Sequence, residues 1–147
     1  MNEGHYQLFR AAIFGLCIFA ASMLLIPTLA HISKSLDARH WPTYTGEVTA
    51  VSANHSGVYV FRYGRPAKPA VTYHYEREGK SIKGTTVGFG ISHPQQPLIK
   101  GDFVRVYVNP QDSTEAVIAV GIFQSHIIKL IVSFIFVALG AFLWRRM

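Results

Sequence analysis

The chain predicts a membrane α plus all-β protein, with two transmembrane helices flanking a small antiparallel β-barrel or sandwich domain. Two apolar runs lie near the ends, and the segment between them alternates apolar and polar residues with Gly and Pro breaks. Across 147 residues half are hydrophobic and 15% charged, too apolar for a disordered chain and too short for a two-domain enzyme.

After a short tail (1–10), residues 11–30 read AAIFGLCIFAASMLLIPTLA and contain no charge. About 20 residues at roughly 1.5 Å rise cross the ~30 Å hydrocarbon core, which predicts transmembrane helix 1. A cleaved leader is the competing reading, because Arg10 precedes the run and Thr28-Leu29-Ala30 resembles a small-residue cleavage site. The run exceeds the usual leader core of about 7–15 residues, so the anchor is preferred. Pro27 near its end is tolerable close to an interface. Residues 31–42 form a linker in which Lys34 to His40 continue the helix until Trp41-Pro42 stops it.

Residues 122–144 predict transmembrane helix 2, whose charge is Lys129 near its start. Lys129, Trp144, Arg145 and Arg146 are expected membrane-interface anchors, as is Trp41 beside the first span; 145–147 form a basic tail. Small residues at Ala12, Gly15 and Ser22, and at Ser133, Ala138 and Gly140, permit helix pairing or homo-oligomerisation through the helices. Cys17, the only cysteine, forms no intramolecular disulfide and is expected to be plain packing.

The middle domain (43–121) reads as about six short strands. In Asp102 to Asn109, Val104, Val106 and Val108 face one way, and Phe103, Arg105 and Tyr107 the other. Val71, Tyr73 and Tyr75 form a similar face, and Thr85, Val87, Phe89 and Ile91 predict another. Glu78-Gly79 has the composition of a tight hairpin turn. Further strands are expected at Tyr44 to Ala53, Val58 to Tyr63 and Glu115 to Val120, with proline-bearing loops at 65–69 and 93–97.

Trp41-Pro42-Thr43 with Thr45-Gly46-Glu47-Val48, then Val71-Thr72-Tyr73-His74-Tyr75, then Gly101 through Pro110 and a closing Ala116-Val117, occur in this order. Together they resemble the bacterial membrane family called domain of unknown function 3592. The resemblance covers most of 41–121 with the flanking spans, and implies a membrane-anchored β-domain with no catalytic residues to carry over. The family's tyrosine-rich strand before Asn-Pro here reads Val-Tyr-Val.

Motifs for chemistry are sparse. The seven histidines are scattered and no H-E-x-x-H, C-x-x-C or His-x-His occurs, leaving only a converging set such as His55, His74 and His93. Glu76 and Glu78 are the closest carboxylates, on one expected strand face. No serine lies in G-x-S-x-G or S-x-x-K, and Gly84 to Gly90 lacks the Gly-Lys-Ser/Thr ending of a phosphate loop. No enzymatic activity, metal or cofactor is expected. Arg62, Arg65, Lys68, Arg77, Lys80 and Lys83 interleave with aromatics and form the expected contact patch for a partner or lipid. From His31 to His126 the balance is ten Lys and Arg against seven Asp and Glu, which favours membrane lipids or a protein partner over nucleic acid.

These readings converge on a non-enzymatic two-span protein whose β-domain is a protein-interaction module or accessory subunit of an envelope complex. The expected location is the bacterial inner membrane, with cytoplasmic termini and an extracytoplasmic β-domain. Orientation cues are nearly balanced, and the positive-inside rule weakens for loops beyond about 60 residues. The alternatives are a toxin-immunity-type membrane protein, and an envelope hydrolase or metal-dependent enzyme built from dispersed His and Ser.

Overall fold

The computed structural model describes residues 3–52, 70–91 and 93–146. In chain order it contains α1 (Glu3–Asp37), a 3-10 turn (Ala38–His40), β1 (Thr43–Val51), β2 (Val71–Arg77), β3 (Lys80–Gly84), β4 (Phe103–Val108), β5 (Ala116–Val117) and α2 (Gln124–Arg146). Two long apolar helices thus flank, in sequence, a curled antiparallel five-stranded sheet that forms a half-barrel. Residues 1–33 with 122–147 form one compact unit and 34–121 the other.

In the helical unit, α1 is one uninterrupted helix of 35 residues, well beyond the apolar run. Pro27 lies inside it; its missing N–H removes the donor for the Met23 carbonyl. The α-helix ends at Asp37, short of the expected His40; a 3-10 turn carries the chain on to Trp41, which adopts extended backbone (φ −72°, ψ 151°) ahead of Pro42. The 23 residues of α2 span roughly 35 Å at helical rise. The two helices run antiparallel: Phe14 stacks on Trp144 with ring centroids 5.4 Å apart, and a Cβ built on Gly140 would lie 3.0 Å from that of Cys17.

The contact seam is narrow and regular. Cys17, Ala21 and Thr28 are buried on α1, and His126, Ser133 and Gly140 recur every seventh residue on α2. Ser133 and Gly140 are buried as expected but Ala138 is exposed, and the α1 side is displaced from the expected Ala12, Gly15 and Ser22: Gly15 has open space around it, and Ala12 is exposed. Packing direction, rather than small size alone, selects the seam. Thr28 and Ser133 donate their hydroxyls to the carbonyls of Leu24 (2.6 Å) and Lys129 (2.8 Å), so neither buried seam hydroxyl needs water.

In the β unit the strand order is β3-β2-β1-β4-β5, antiparallel throughout. β2 and β3 form the hairpin whose turn is Glu78-Gly79; both residues have positive φ (55° and 75°), as a two-residue turn matched to strand twist requires. Val48, Val71, Tyr73, Tyr75, Val106, Val108 and Ala116 share the concave core with Val87. The valine face of β4 is buried as its alternation predicts, and Phe103 on the other face is 75% exposed. The curl is closed by Val87, whose carbonyl accepts the amides of Ile118 (3.0 Å) and Ala119 (2.8 Å), tying the segment after β3 to the segment after β5.

Three strand expectations change. The third strand is Lys80–Gly84 rather than a run through Thr85 to Ile91, which holds only a Gly88–Ile91 bridge. Gly90, at φ 72°, turns the chain there, and Val87 is buried from outside the ladder. The last strand shrinks to Ala116–Val117 because the following amides turn to Val87. Five strands therefore stand among the described residues where about six were expected, and Val58 to Tyr63 lies outside those residues.

The domain's two chain ends are clasped. The Ser35 hydroxyl donates to the Gly121 carbonyl (2.9 Å) and accepts the Gly121 amide (2.8 Å), with Ser35 fully buried. Nearby, Lys34 pairs with Glu115, the Asn109 amide donates to the same carboxylate (2.7 Å), and Lys34 lies 5.2 Å from the Phe89 ring centroid. Trp41 meets Phe89 edge-on at 5.9 Å and is half-buried, so it plugs one end of this domain.

Candidate functional site

Strand alternation puts one residue in two on the convex face of the sheet, and cross-strand register gathers them into rows. Lys83, His74, Glu47 and Phe103 make one row across β3, β2, β1 and β4, since Lys83 pairs with His74, His74 with Glu47, and Glu47 with Phe103. Beside it, Ser81 pairs with Glu76, and Thr45 with Arg105. A shallow groove of about 380 Å³ runs over this face, lined by Thr45, Glu47, Thr49, His74, Glu76, Ser81 and Phe103.

A β-bulge shapes the groove. The β1–β2 register slips between Val48 and Ala50, so Thr49 is an extra residue that stands against His74. Thr49 donates its hydroxyl to the Thr72 carbonyl (3.3 Å), and His74 Nδ1 lies 3.2 Å from the same hydroxyl oxygen. With that hydroxyl proton committed, Nδ1 is the donor in this pair. The groove thus offers carboxylates, hydroxyls, one imidazole and an exposed aromatic ring. Ser81 makes no hydrogen bond to His74 or Glu76 among the described residues, so nothing there activates its hydroxyl.

Beneath the groove the support is rigid. Tyr73 is fully buried, its hydroxyl 2.9 Å from the Thr86 carbonyl and 3.0 Å from that of Ala116, donating its single proton to one at a time. Burial, then the neighbouring Tyr75, pushes its phenol well above the ordinary value. Tyr75 donates to the Ser113 carbonyl (2.9 Å), and burial raises it too, partly offset by Arg77.

The expected basic patch is divided by the sheet. Arg62, Arg65 and Lys68 lie outside the described residues. Arg77 and Lys80 are cross-strand partners in phase with Tyr73 and Tyr75, and Arg77 lies 3.8 Å from the Glu78 carboxylate. Lys83 is on the opposite, convex face beside His74, so these three cations do not make one patch. Glu78 occupies the hairpin turn and therefore shares no strand face with Glu76.

Of the converging-histidine set, His55 lies outside the described residues, and among the described residues no three His, Cys, Asp or Glu stand close enough to share a metal ion. Within the helical unit, Lys129 is half-buried in the second turn of α2, and Trp144, Arg145 and Arg146 are exposed at its end. The groove escaped the sequence reading because its members come from four strands. The alternation that turned Phe103 outward was its one legible signal. No family model, no curated protein and no solved structure matches this chain.

Proposed function

We propose that this protein is a two-span membrane protein that presents its β-domain as a protein-interaction module, an accessory subunit of an envelope complex rather than an enzyme. Its place in this reading is the bacterial inner membrane, with cytoplasmic termini and the β-domain on the far side. The resemblance to domain of unknown function 3592 implies the same membrane-anchored β-domain.

The membrane half is supported by exposure. Only 11% of the apolar window of each helix is buried within the protein, whereas the core helix of a water-soluble domain is largely covered. Leu16, Phe19, Met23, Ile26 and Phe134 are each more than 60% exposed, a surface that water disfavours and lipid accepts.

The observation that carries the interaction half is Phe103, an aromatic on an ordered strand left 75% exposed at the groove. Covering such a ring contributes ~1–2 kcal/mol, and the adjoining carboxylates, hydroxyls and His74 supply directional contacts at its rim. A photo-crosslinking residue placed at Phe103, in cells expressing the full chain, should trap one stoichiometric protein partner. A control placement at exposed Gln111 should not. Recovery of only this chain from the Phe103 position would remove the partner-protein reading.

A further inference from the structure

At the terminal end of the helix pair, residues far apart in sequence meet. Arg10 of α1 donates from Nη2 to the Trp144 carbonyl of α2, 134 positions away, and its guanidinium carbon lies 5.0 Å from the centre of the Trp144 ring. Phe14 packs on the same indole at 5.4 Å. Arg145 and Arg146 follow at once, Arg146 with its guanidinium 5.1 Å from the Phe142 ring centroid. Arg10 thus sits on the Trp144 indole at the end of α2 that Arg145 and Arg146 close.

Among the described residues Arg10 Nε is buried and has no hydrogen-bond partner, and none of the three arginines forms an ion pair. In the sequence of this unit, residues 1–33 with 122–147, Glu3 is the one acidic residue against Arg10, Lys129, Arg145 and Arg146. The other acidic residues all belong to 34–121. Arginine charge with no ion-pair partner among the described residues, in a partly desolvated setting, calls for an anion. Guanidinium forks match a phosphate, and an indole stacked on arginine suits headgroup depth.

We infer that Arg10, held on Trp144, together with Arg145 and Arg146 at the end of α2, forms a binding site for the phosphate of an anionic phospholipid headgroup. This rests on the membrane-spanning reading above. The site is assembled by helix pairing, because α2 supplies two of its cations and α1 the third. It would hold an anionic lipid as part of the protein's annulus and bias the terminal end toward the more anionic leaflet.

The chain has two tryptophans, so Trp41→Phe leaves Trp144 as the sole emitter at the site. The full-length Trp41→Phe protein is reconstituted into phosphatidylcholine vesicles containing a minor fraction of brominated phosphatidylglycerol or brominated phosphatidylcholine. The anionic quencher should quench Trp144 several-fold more strongly than the neutral one at equal fraction. Arg10→Gln, or Arg145→Gln with Arg146→Gln, should weaken that preference about fivefold per charge removed, while Lys129→Gln keeps it. Helix pairing in each variant is checked by oxidative cross-linking of Cys17 to Gly140→Cys.

Equal quenching by the two lipids, or a preference unchanged in the arginine variants, overturns the site and leaves the membrane reading standing. Absence of quenching even in fully brominated phosphatidylcholine overturns the membrane reading itself. Inorganic phosphate that shifts Trp144 emission in neutral vesicles and abolishes the phosphatidylglycerol preference would make the ligand a soluble phosphate and overturn the lipid assignment.

Discussion

Tyr73 and Gly84 show how single residues set this β-domain. They are cross-strand partners, and a Cβ on Gly84 would stand 2.3 Å from the Tyr73 ring, closer than any repacking allows without moving the ring and its hydroxyl. Gly84→Ala should therefore cost ~1–3 kcal/mol, and Tyr73→Phe ~1–3 kcal/mol through the buried Ala116 carbonyl losing its donor. Chemical denaturation of the detergent-extracted protein measures both; midpoints unchanged from the parent would refute this packing. Glu115 carries the pH dependence. Lys34 first, then the Asn109 amide, holds its carboxyl below the ordinary value of 4.5, so the ionised form stabilises the fold above that value. The contribution is lost as pH falls through the lowered folded value. Asp112 is also lowered, by hydrogen bonds from Thr114, and acts with the same sign. Glu115→Gln should be less stable near neutral pH and show a flatter acid limb than the parent, read as denaturation midpoint against pH; parallel curves would exclude the Lys34–Glu115 contribution.

Among the elements, the helix pair makes the sharpest geometric statement. Gly140 lets α2 approach α1 at Cys17, in a seam that includes small residues of both helices. Because Cys17 is the only cysteine, Gly140→Cys creates a single thiol pair whose Cβ atoms are within disulfide reach after a small adjustment. Mild oxidation should produce an intramolecular cross-link, seen as linked terminal fragments after proteolysis. Ala138→Cys, on an exposed face of α2, should remain a free thiol. Efficient linkage from Ala138 instead would mean a different helix rotation. The hairpin β2–β3 follows similar logic at shorter range, since Glu78 and Gly79 both adopt the left-handed region that the turn demands.

For the whole molecule, the decisive matter is which surface meets which solvent. The helical unit carries one acidic residue in its sequence, whereas the β unit mixes ten basic with seven acidic residues, a composition suited to water on its convex face. An epitope inserted at exposed Gln95-Gln96 and another after Met147 should report opposite sides of the membrane in intact cells. The same side for both would remove one span and leave a single anchor.

Much was legible from the residues in order. Apolar length selected both helices, Trp41-Pro42 stopped the turn that follows the first, and alternation placed Val106 and Val108 inside and Phe103 outside, because these features depend on neighbours within a few positions of the chain. The strand expected through Ile91 was misplaced since the glycines that bend the chain at 88–90 interrupt a pattern that alternation alone continues. Tertiary structure alone decided which small residues form the helix seam, that Lys83 stands on the opposite face from Arg77 and Lys80, and that Thr49, His74, Glu47 and Phe103 border one groove. It also brought Arg10 to Trp144. These depend on register and on helix rotation, quantities set by packing across long stretches of chain and carried by no local run of residues.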